Sequence, residues 1–167
     1  MLSLKSVEYS VGEFKLKADF EIPRLAKVAL IGPSGAGKST LFSLISGFLK
    51  PESGSIFIDN EDVTTKLSNQ RRVTTIFQDG NLFPHLTVKR NISLGLRPDL
   101  RLNSEQQGVL DYAIDRVGLT DLVDRKPGSL SGGQQSRVSL ARALVRDCPL
   151  LLLDEPFSAL GPSLKSD

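Results

Sequence analysis

The stretch AKVALIGPSGAGKSTLFSLISGFL, residues 26–49, decides the fold of this chain. Residues 26–32 are a compact apolar run, which is typical of a buried parallel strand. A glycine-rich turn follows at once, and Gly47 stands where the next element should end. Between them, apolar residues recur at helical spacing: Leu41, Leu44, Ile45 and Phe48. Strand, glycine-rich loop and helix in direct succession predict an α/β fold.

The glycine-rich segment GPSGAGKST, Gly32–Thr40, fits the pattern G-x-x-x-x-G-K-[ST]. Glycines allow backbone N–H groups to turn inward and wrap a polyphosphate. The Lys38 ammonium then reaches the β- and γ-phosphates, and the Ser39 hydroxyl coordinates Mg²⁺. A glycine-rich turn with a surface lysine is the alternative, and it leaves the flanking strand and helix unexplained. We expect the whole segment to contact a nucleotide: Gly32, Pro33, Ser34, Gly35, Ala36, Gly37, Lys38, Ser39 and Thr40.

Two acids close a second apolar run, LLLLDEP, at residues 150–156. The run predicts another fully buried strand, and ligands of parallel sheets bind at the carboxyl ends of the strands. We therefore expect Asp154 to hold Mg²⁺ and Glu155 to orient the attacking water. The alternative interpretation is a pair of solvated acids after a strand. The phosphate-loop motif earlier in the sequence makes this alternative less favoured.

The rest of the first half predicts four further strands. Residues 2–10 and 13–22 alternate apolar and polar positions, which predicts a half-buried hairpin with Gly12 and Glu13 at its turn. Residues 55–60 and 73–77 predict a second, antiparallel-looking strand pair.

Residues 87–146 are predicted to be mainly helical and to be inserted between two strands of one parallel sheet. One helix should bury a single face: Val109, Leu110, Ala113, Ile114 and Val117. A longer helix should start at Ser131 with its own inward face: Val138, Ala141, Leu144 and Val145.

The segment LSGGQQ, Leu130–Gln135, completes a characteristic order of three motifs. This order resembles the nucleotide-binding domain of ATP-binding-cassette (ABC) transporters over essentially all of residues 1–167. The resemblance implies a P-loop NTPase core with an N-terminal antiparallel β-subdomain and a helical subdomain at 87–146. It also implies a head-to-tail dimer, in which the signature residues of each subunit close over the ATP of the other: Ser131, Gly132, Gly133 and Gln134. A serine N-cap followed by a flexible glycine pair is the structural alternative.

Three further positions are assigned by the same resemblance. Gln78 resembles the Q-loop glutamine, which contacts Mg²⁺ or the attacking water. Tyr9 is expected to stack on adenine, with an ordinary strand tyrosine as the alternative. SALG, Ser158–Gly161, resembles the D-loop, but Gly161 stands where the family has aspartate, so a carboxylate at the dimer interface is lost.

The C-terminal end departs from the family pattern. The family continues to a strand that ends in a switch histidine, whereas this sequence ends at Asp167 and its single histidine, His85, follows the Q-loop. We expect an incomplete domain without the last core strands, and an unpaired sheet edge.

Composition excludes several classes of protein. The net charge of +2, from 21 basic and 19 acidic residues, is not that of a nucleic-acid-binding protein. No apolar run approaches the roughly 18–20 residues that span a bilayer, and the N-terminus does not resemble a signal peptide. The single Cys148 rules out an internal disulfide and fits a reducing cytoplasm.

The resemblance implies the ATP-binding subunit of an importer, an ATPase bound to the cytoplasmic face of the membrane. Transmembrane permease subunits and, indirectly, a periplasmic binding protein are the implied partners. The segment LGLRPDLRLNSEQQG, residues 94–108, is similar to bacterial thiamine importers, although polyamine, sulfate and iron importers share LFPHLTV. Two alternatives stay open. One is an ATPase of the DNA-repair type, although this sequence lacks the coiled coil that such proteins insert between the two motifs. The other is a relative that binds nucleotide without hydrolysing it.

Overall fold

The computed structural model describes residues 1–77 and 81–154 and divides the chain into two units. The first unit is Met1–Thr74, and the second begins at Thr75. Among the described residues no helix is both long enough and apolar enough to cross a membrane.

The first unit contains a four-stranded antiparallel sheet. Strands β1 (Leu2–Val11) and β2 (Phe14–Ile22) make the predicted hairpin, and β3 (Ser53–Ile58) and β4 (Glu61–Asp62) extend it in the order β2-β1-β3-β4. Gly12 turns the hairpin with a φ of 58°, which lies in the left-handed region that glycine tolerates best.

Helix α1 (Lys38–Ser46) follows the glycine-rich segment, as predicted. Leu41, Leu44 and Ile45 are buried, but Phe48 is 57% exposed. The prediction for Phe48 is wrong because Gly47 ends the helix in the left-handed conformation, with a φ of 79°. Phe48 therefore lies beyond the last turn and off the buried face of the helix.

The predicted strand at residues 26–32 is not present. Its apolar side chains are exposed, with Val28 at 63% and Ile31 at 91%. An apolar run becomes a buried strand only when neighbouring strands pair with both of its edges. Within residues 1–77 and 81–154, no strand pairs with this segment.

Three helices pack together in the second unit: α2 (Val88–Leu96), α3 (Ser104–Arg116) and α4 (Gly132–Leu144). Short 3₁₀ turns at Thr120–Leu122 and Pro127–Ser129 join α3 to α4. The buried core takes residues from all three helices and from the connection: Val88, Ile92, Leu110, Ala113, Ile114, Leu119, Leu130, Val138, Ala141 and Val145.

The predicted helix faces are largely confirmed, with two errors. Val109 and Leu144 are exposed. The buried stripe of α3 runs through Leu110, Ala113 and Ile114, so Val109 lies beside it, about 100° around the helix. In α4 the stripe follows positions 138, 141 and 145, and Leu144 lies on its flank.

Strands β5 (Val73–Ile76) and β6 (Leu150–Leu153) form a separate two-stranded sheet. The predicted pairing of residues 73–77 with 55–60 is therefore wrong, because β3 pairs with β1 and β4 instead. The strand β6 was also predicted to be fully buried, but of its residues only Leu152 is buried. Leu151 and Leu153 are exposed because alternate residues of a strand point to opposite faces.

Candidate functional site

The N-terminus of α1 is open. Among the described residues, no side chain caps it, and its first turn holds no acidic residue. The first N–H groups of a helix lack intrahelical acceptors, and they carry the positive end of the helix dipole. Such a helix end suits an anion.

Glycine is required at the junction of the loop and α1. Gly35 and Gly37 have φ values of 80° and 89°, in the left-handed region. A Cβ at Gly37 would also lie 2.7 Å from Phe14 Cζ and 3.3 Å from Leu16 Cδ1. Strand β2 therefore packs so closely against the loop that position 37 accepts no side chain without displacement of an aromatic ring.

The Lys38 side chain forms hydrogen bonds with the loop that precedes it. Its Nζ donates to the carbonyl oxygens of Gly32 at 2.8 Å and Pro33 at 2.9 Å. The Ala36 N–H also donates to the Pro33 carbonyl, at 3.2 Å. An ammonium has three protons, so these two bonds orient the lysine over the loop and leave it capacity for a further acceptor. Ser39 is exposed on the first turn of α1.

Tyr9 lies on the sheet face that meets this loop. It is paired with Leu16 in the β1–β2 register, and directly paired residues of antiparallel strands project to the same face. Leu16 in turn approaches Gly37. The tyrosine, which is half-buried, is thus one cross-strand neighbour away from the loop.

The signature segment begins α4 with a closed cap. The Ser131 Oγ accepts a bond from the Gln134 N–H at 3.2 Å, and the Gln134 Oε1 accepts one from the Ser131 N–H at 2.8 Å. This reciprocal pair is a capping box. Ser131 and Gly132 remain exposed, and Gly133 and Gln134 are half-buried. The N-cap that was the structural alternative for Ser131 is present, and it leaves the exposed hydroxyl able to donate to an acceptor.

Asp154 follows β6 directly, as predicted. Its N–H donates to the Ile76 carbonyl at 2.9 Å, which joins the ends of β5 and β6. Three predicted positions, Gln78, Glu155 and the segment Ser158–Gly161, lie outside the described residues. In the described ranges no group of three or more histidine, cysteine, aspartate or glutamate side chains could hold a metal ion.

Two buried polar residues organise these units, and no sequence pattern pointed to either. Arg71 is buried and bonded to four backbone carbonyls. Asn91 is fully buried and binds the loop that precedes α2, through the Phe83 N–H and the carbonyls of Phe83, Leu86 and Thr87. Both stand in polar stretches, where a solvated side chain is the usual expectation. Only their hydrogen bonds in the folded chain reveal their roles.

Comparison with known proteins decides the family. The model of the family described as ABC transporter matches residues 16–158, most of the chain. This chain belongs to the ABC transporter family. It is an ATP-binding-cassette ATPase domain, and the order of phosphate loop, signature and acidic strand is the order that the family implies.

Its curated relatives include thiamine import ATP-binding proteins, named ThiQ. The protein from Escherichia coli K12 is 50% identical over all 167 residues, which cover 72% of its length. The protein from Jannaschia sp. CCS1 is 51% identical over the whole of this chain and 73% of its own length.

Solved structures agree on the fold. A dimeric post-hydrolysis state of the ATP-binding cassette MJ0796, bound to ADP and Pi, superposes with a TM-score of 0.82 at 32% identity. The match covers 98% of this chain and 77% of that one. A second dimeric structure of MJ0796, described as a bacterial ABC transporter cassette, has a TM-score of 0.80. The predicted fold class, a P-loop NTPase core with an antiparallel β-subdomain and helices, is confirmed.

Proposed function

We propose that this chain is the ATP-binding subunit of an importer that couples ATP hydrolysis to solute uptake, with thiamine as the solute. The open N-terminus of α1 carries the nucleotide part of this proposal, because it joins a helix end without a side-chain cap to a glycine at which a Cβ would displace the Phe14 ring. The thiamine part is supported by about half-identity over the full chain to proteins named for thiamine import.

The loop at Gly32–Thr40 binds the phosphates through backbone N–H groups and the Lys38 ammonium. Lys38 already lies across the loop, so a phosphate oxygen would accept from the same group that now contacts Gly32 and Pro33. Tyr9 stacks on the adenine from the adjoining sheet face.

The metal ligands proposed are Ser39, Gln78 and Asp154. Hydroxyl, amide and carboxylate oxygens fit Mg²⁺, which prefers a few protein oxygens together with phosphate. When bound, the ion neutralises charge on the phosphate oxygens. Glu155 orients and polarises the water that attacks the γ-phosphorus, and Lys38 stabilises the charge that develops there.

A second copy of the domain completes the site. Ser131, Gly132, Gly133 and Gln134 of one subunit contact the ATP held by the other, through a hydroxyl, glycine amides and a helix N-terminus. The dimeric state of the MJ0796 cassettes supports this arrangement. Transmembrane permease subunits would dock beside Gln78 and the helical region, on the cytoplasmic face of the membrane. A periplasmic binding protein would deliver the solute to them.

Nucleotide binding is tested by thermal unfolding with and without Mg-ATP. The unmodified chain should gain stability with ATP concentration, because a ligand that binds only the folded state raises its stability. Lys38→Ala should lose this gain, and Lys50→Ala, at an exposed lysine of the same unit, should retain it. An unchanged ATP-dependent shift in Lys38→Ala would refute the assigned loop.

Transport is tested in proteoliposomes that hold the permease and this subunit. Thiamine-loaded binding protein should stimulate ATP hydrolysis, and Glu155→Gln should abolish it. If polyamine, sulfate or iron stimulated hydrolysis instead, the proposed importer function would stand and the proposed solute would be wrong. Binding of ATP without any turnover would support the non-hydrolysing relative, for which Gly161 is the motivating observation.

A further inference from the structure

Arg71 is a buried cation at the C-terminal end of α1. Arg71 is only 3% exposed, and burial lowers the pKa of its guanidinium. In the described part of the chain no carboxylate forms an ion pair with it. A buried charge without a counter-ion is costly unless its hydrogen bonds are satisfied, so its partners must compensate.

The partners are four backbone carbonyls. Nη1 donates to Leu44 O at 2.6 Å and Ile45 O at 2.8 Å, within the last turn of α1. Nη2 donates to Thr64 O at 3.2 Å and Nε to Lys66 O at 2.9 Å. The last carbonyls of a helix lack intrahelical donors and carry its negative end, so the guanidinium both caps the helix and complements its dipole.

Gly47 makes room for this contact. A Cβ at Gly47 would lie 2.5 Å from Arg71 Nε and 2.9 Å from Cζ. The same glycine ends α1 with a φ of 79°. The helix end and the arginine therefore fit together as one unit, which joins α1 to the turn at residues 64–66.

We infer that Arg71 is a positioning residue for the phosphate loop and acts through α1. The inference rests on the proposed nucleotide function of that loop. Helix α1 has nine residues and is about 13 Å long, so a movement of its C-terminal end also moves its N-terminal end. Lys38 and Ser39 begin the helix that Arg71 holds at its far end. If the C-terminal end frays or tilts, both side chains shift relative to the loop.

Arginine suits this role better than lysine. A guanidinium presents five donors in a rigid plane, and here three of its nitrogens serve two separate chain segments. A lysine ammonium keeps the charge but cannot span both segments in the same geometry. The conservative variant should therefore restore part of the effect and not all of it.

The test is isothermal titration of Mg-ATP into Arg71→Met, Arg71→Lys and the unmodified chain. We expect the Kd to rise about tenfold or more in Arg71→Met, since small misplacements of a binding group are costly. Arg71→Lys should give an intermediate Kd. Arg72→Met, an exposed neighbour, should leave the Kd unchanged.

A stability-matched control separates positioning from simple loss of structure. Val63→Ala removes a buried side chain of the same unit and should lower the unfolding temperature without changing the Kd of the folded protein. A Kd for Arg71→Met within twofold of the unmodified chain would overturn the inference. If Arg71→Met does not fold, a normal Kd in Arg71→Lys overturns it instead.

Failure of the proposed function has a different signature. If the unmodified chain does not bind Mg-ATP, or if Lys38→Ala binds it normally, the assignment of the loop fails and the role of Arg71 fails with it. If Lys38→Ala abolishes binding and both Arg71 variants bind normally, only the role of Arg71 is overturned.

Discussion

Helices α1 and α4 both begin within a glycine-containing motif, yet their N-termini differ. Among the described residues, α1 starts at Gly37 without a side-chain cap. Helix α4 starts at Ser131 with a complete capping box from Gln134. In the part of the chain that the structure describes, the first helix has no side-chain acceptor for its first N–H groups, whereas the second satisfies part of its N-terminus within its own sequence.

The difference shows two ways in which one chain begins a helix. Helix α1 has no side-chain cap at its described N-terminus, and its C-terminal end is bonded by Arg71, which lies 27 residues from Leu44 along the chain. A capped end is stable by itself, and its partners are only three residues apart. Helix α1 thus depends in part on a residue remote in sequence, whereas the N-terminus of α4 is satisfied locally.

The largest combined effect, on stability and on nucleotide binding, is expected from an alanine at the open helix end. Gly37→Ala should lower stability by about 1–2 kcal/mol for the left-handed backbone alone, and more because of the clash with Phe14. It should also weaken Mg-ATP binding at the same junction. Urea unfolding followed by circular dichroism, together with calorimetric titration, measures both.

Gly108→Ala is the matched control for this substitution. Gly108 lies inside α3, and a methyl group placed on its Cα would have no neighbouring atom within 4 Å. Alanine should therefore stabilise the chain by about 0.5–1 kcal/mol at this position. Equal effects of the two alanine variants would contradict the special role of position 37.

Asn91 extends the comparison to the start of α2. This helix is capped by Thr87, and the loop before it is bound by the fully buried Asn91 amide. Asn91→Ala should destabilise the chain by about 3 kcal/mol, because several buried polar groups lose their partner. Chemical unfolding measures the loss. Asn69→Ala, at an exposed position, should change stability little. An equal loss of stability in Asn69→Ala would contradict the role assigned to the buried hydrogen bonds of Asn91.

Ser131→Ala tests the closed helix end. Loss of an N-cap serine typically costs about 1 kcal/mol, so the unfolding midpoint should fall by a corresponding amount without nucleotide. Ser34→Ala, in the exposed loop before α1, should have a smaller effect. If the two serine variants lose equal stability, the distinction between the capped and the uncapped helix is wrong.

The smallest effect concerns acid stability of the first unit. The Met1 ammonium, 2.8 Å away, and then Arg24 lower the pKa of the Asp59 carboxyl. A lowered pKa means that ionised Asp59 stabilises the folded chain above its unfolded pKa of about 4. This contribution is lost as the pH falls through the lower, folded pKa.

Asp59→Asn should therefore be less stable than the unmodified chain at pH 7, and the difference should shrink as the pH falls below the unfolded pKa of about 4 and through the lower, folded pKa. Urea midpoints across this range measure it, with Asp124→Asn as an exposed control. A difference that stays constant with pH would exclude the ion pair as its cause.

Local patterns predicted much of this molecule. The alternation in residues 2–22 predicted the hairpin, the spacing of Leu41, Leu44 and Ile45 predicted the buried face of α1, and Ser131 was recognised as the start of a helix. Each depends on residues within a few positions of one another, where backbone geometry imposes a period of 2 or 3.6. The family also followed from three short motifs in order, and the match over residues 16–158 confirmed it.

The type of most local elements and the family of the chain were thus readable from the order of its residues. Strand partners and buried polar contacts depended on the folded chain: β5 pairs with β6, residues 26–32 pair with no strand in the described part of the chain, and Arg71 enters the interior. The physical reason is distance along the chain. Outside a hairpin, a strand is stable only when remote segments supply its hydrogen bonds, and the same holds for a buried cation such as Arg71. No local pattern specifies which segments those are.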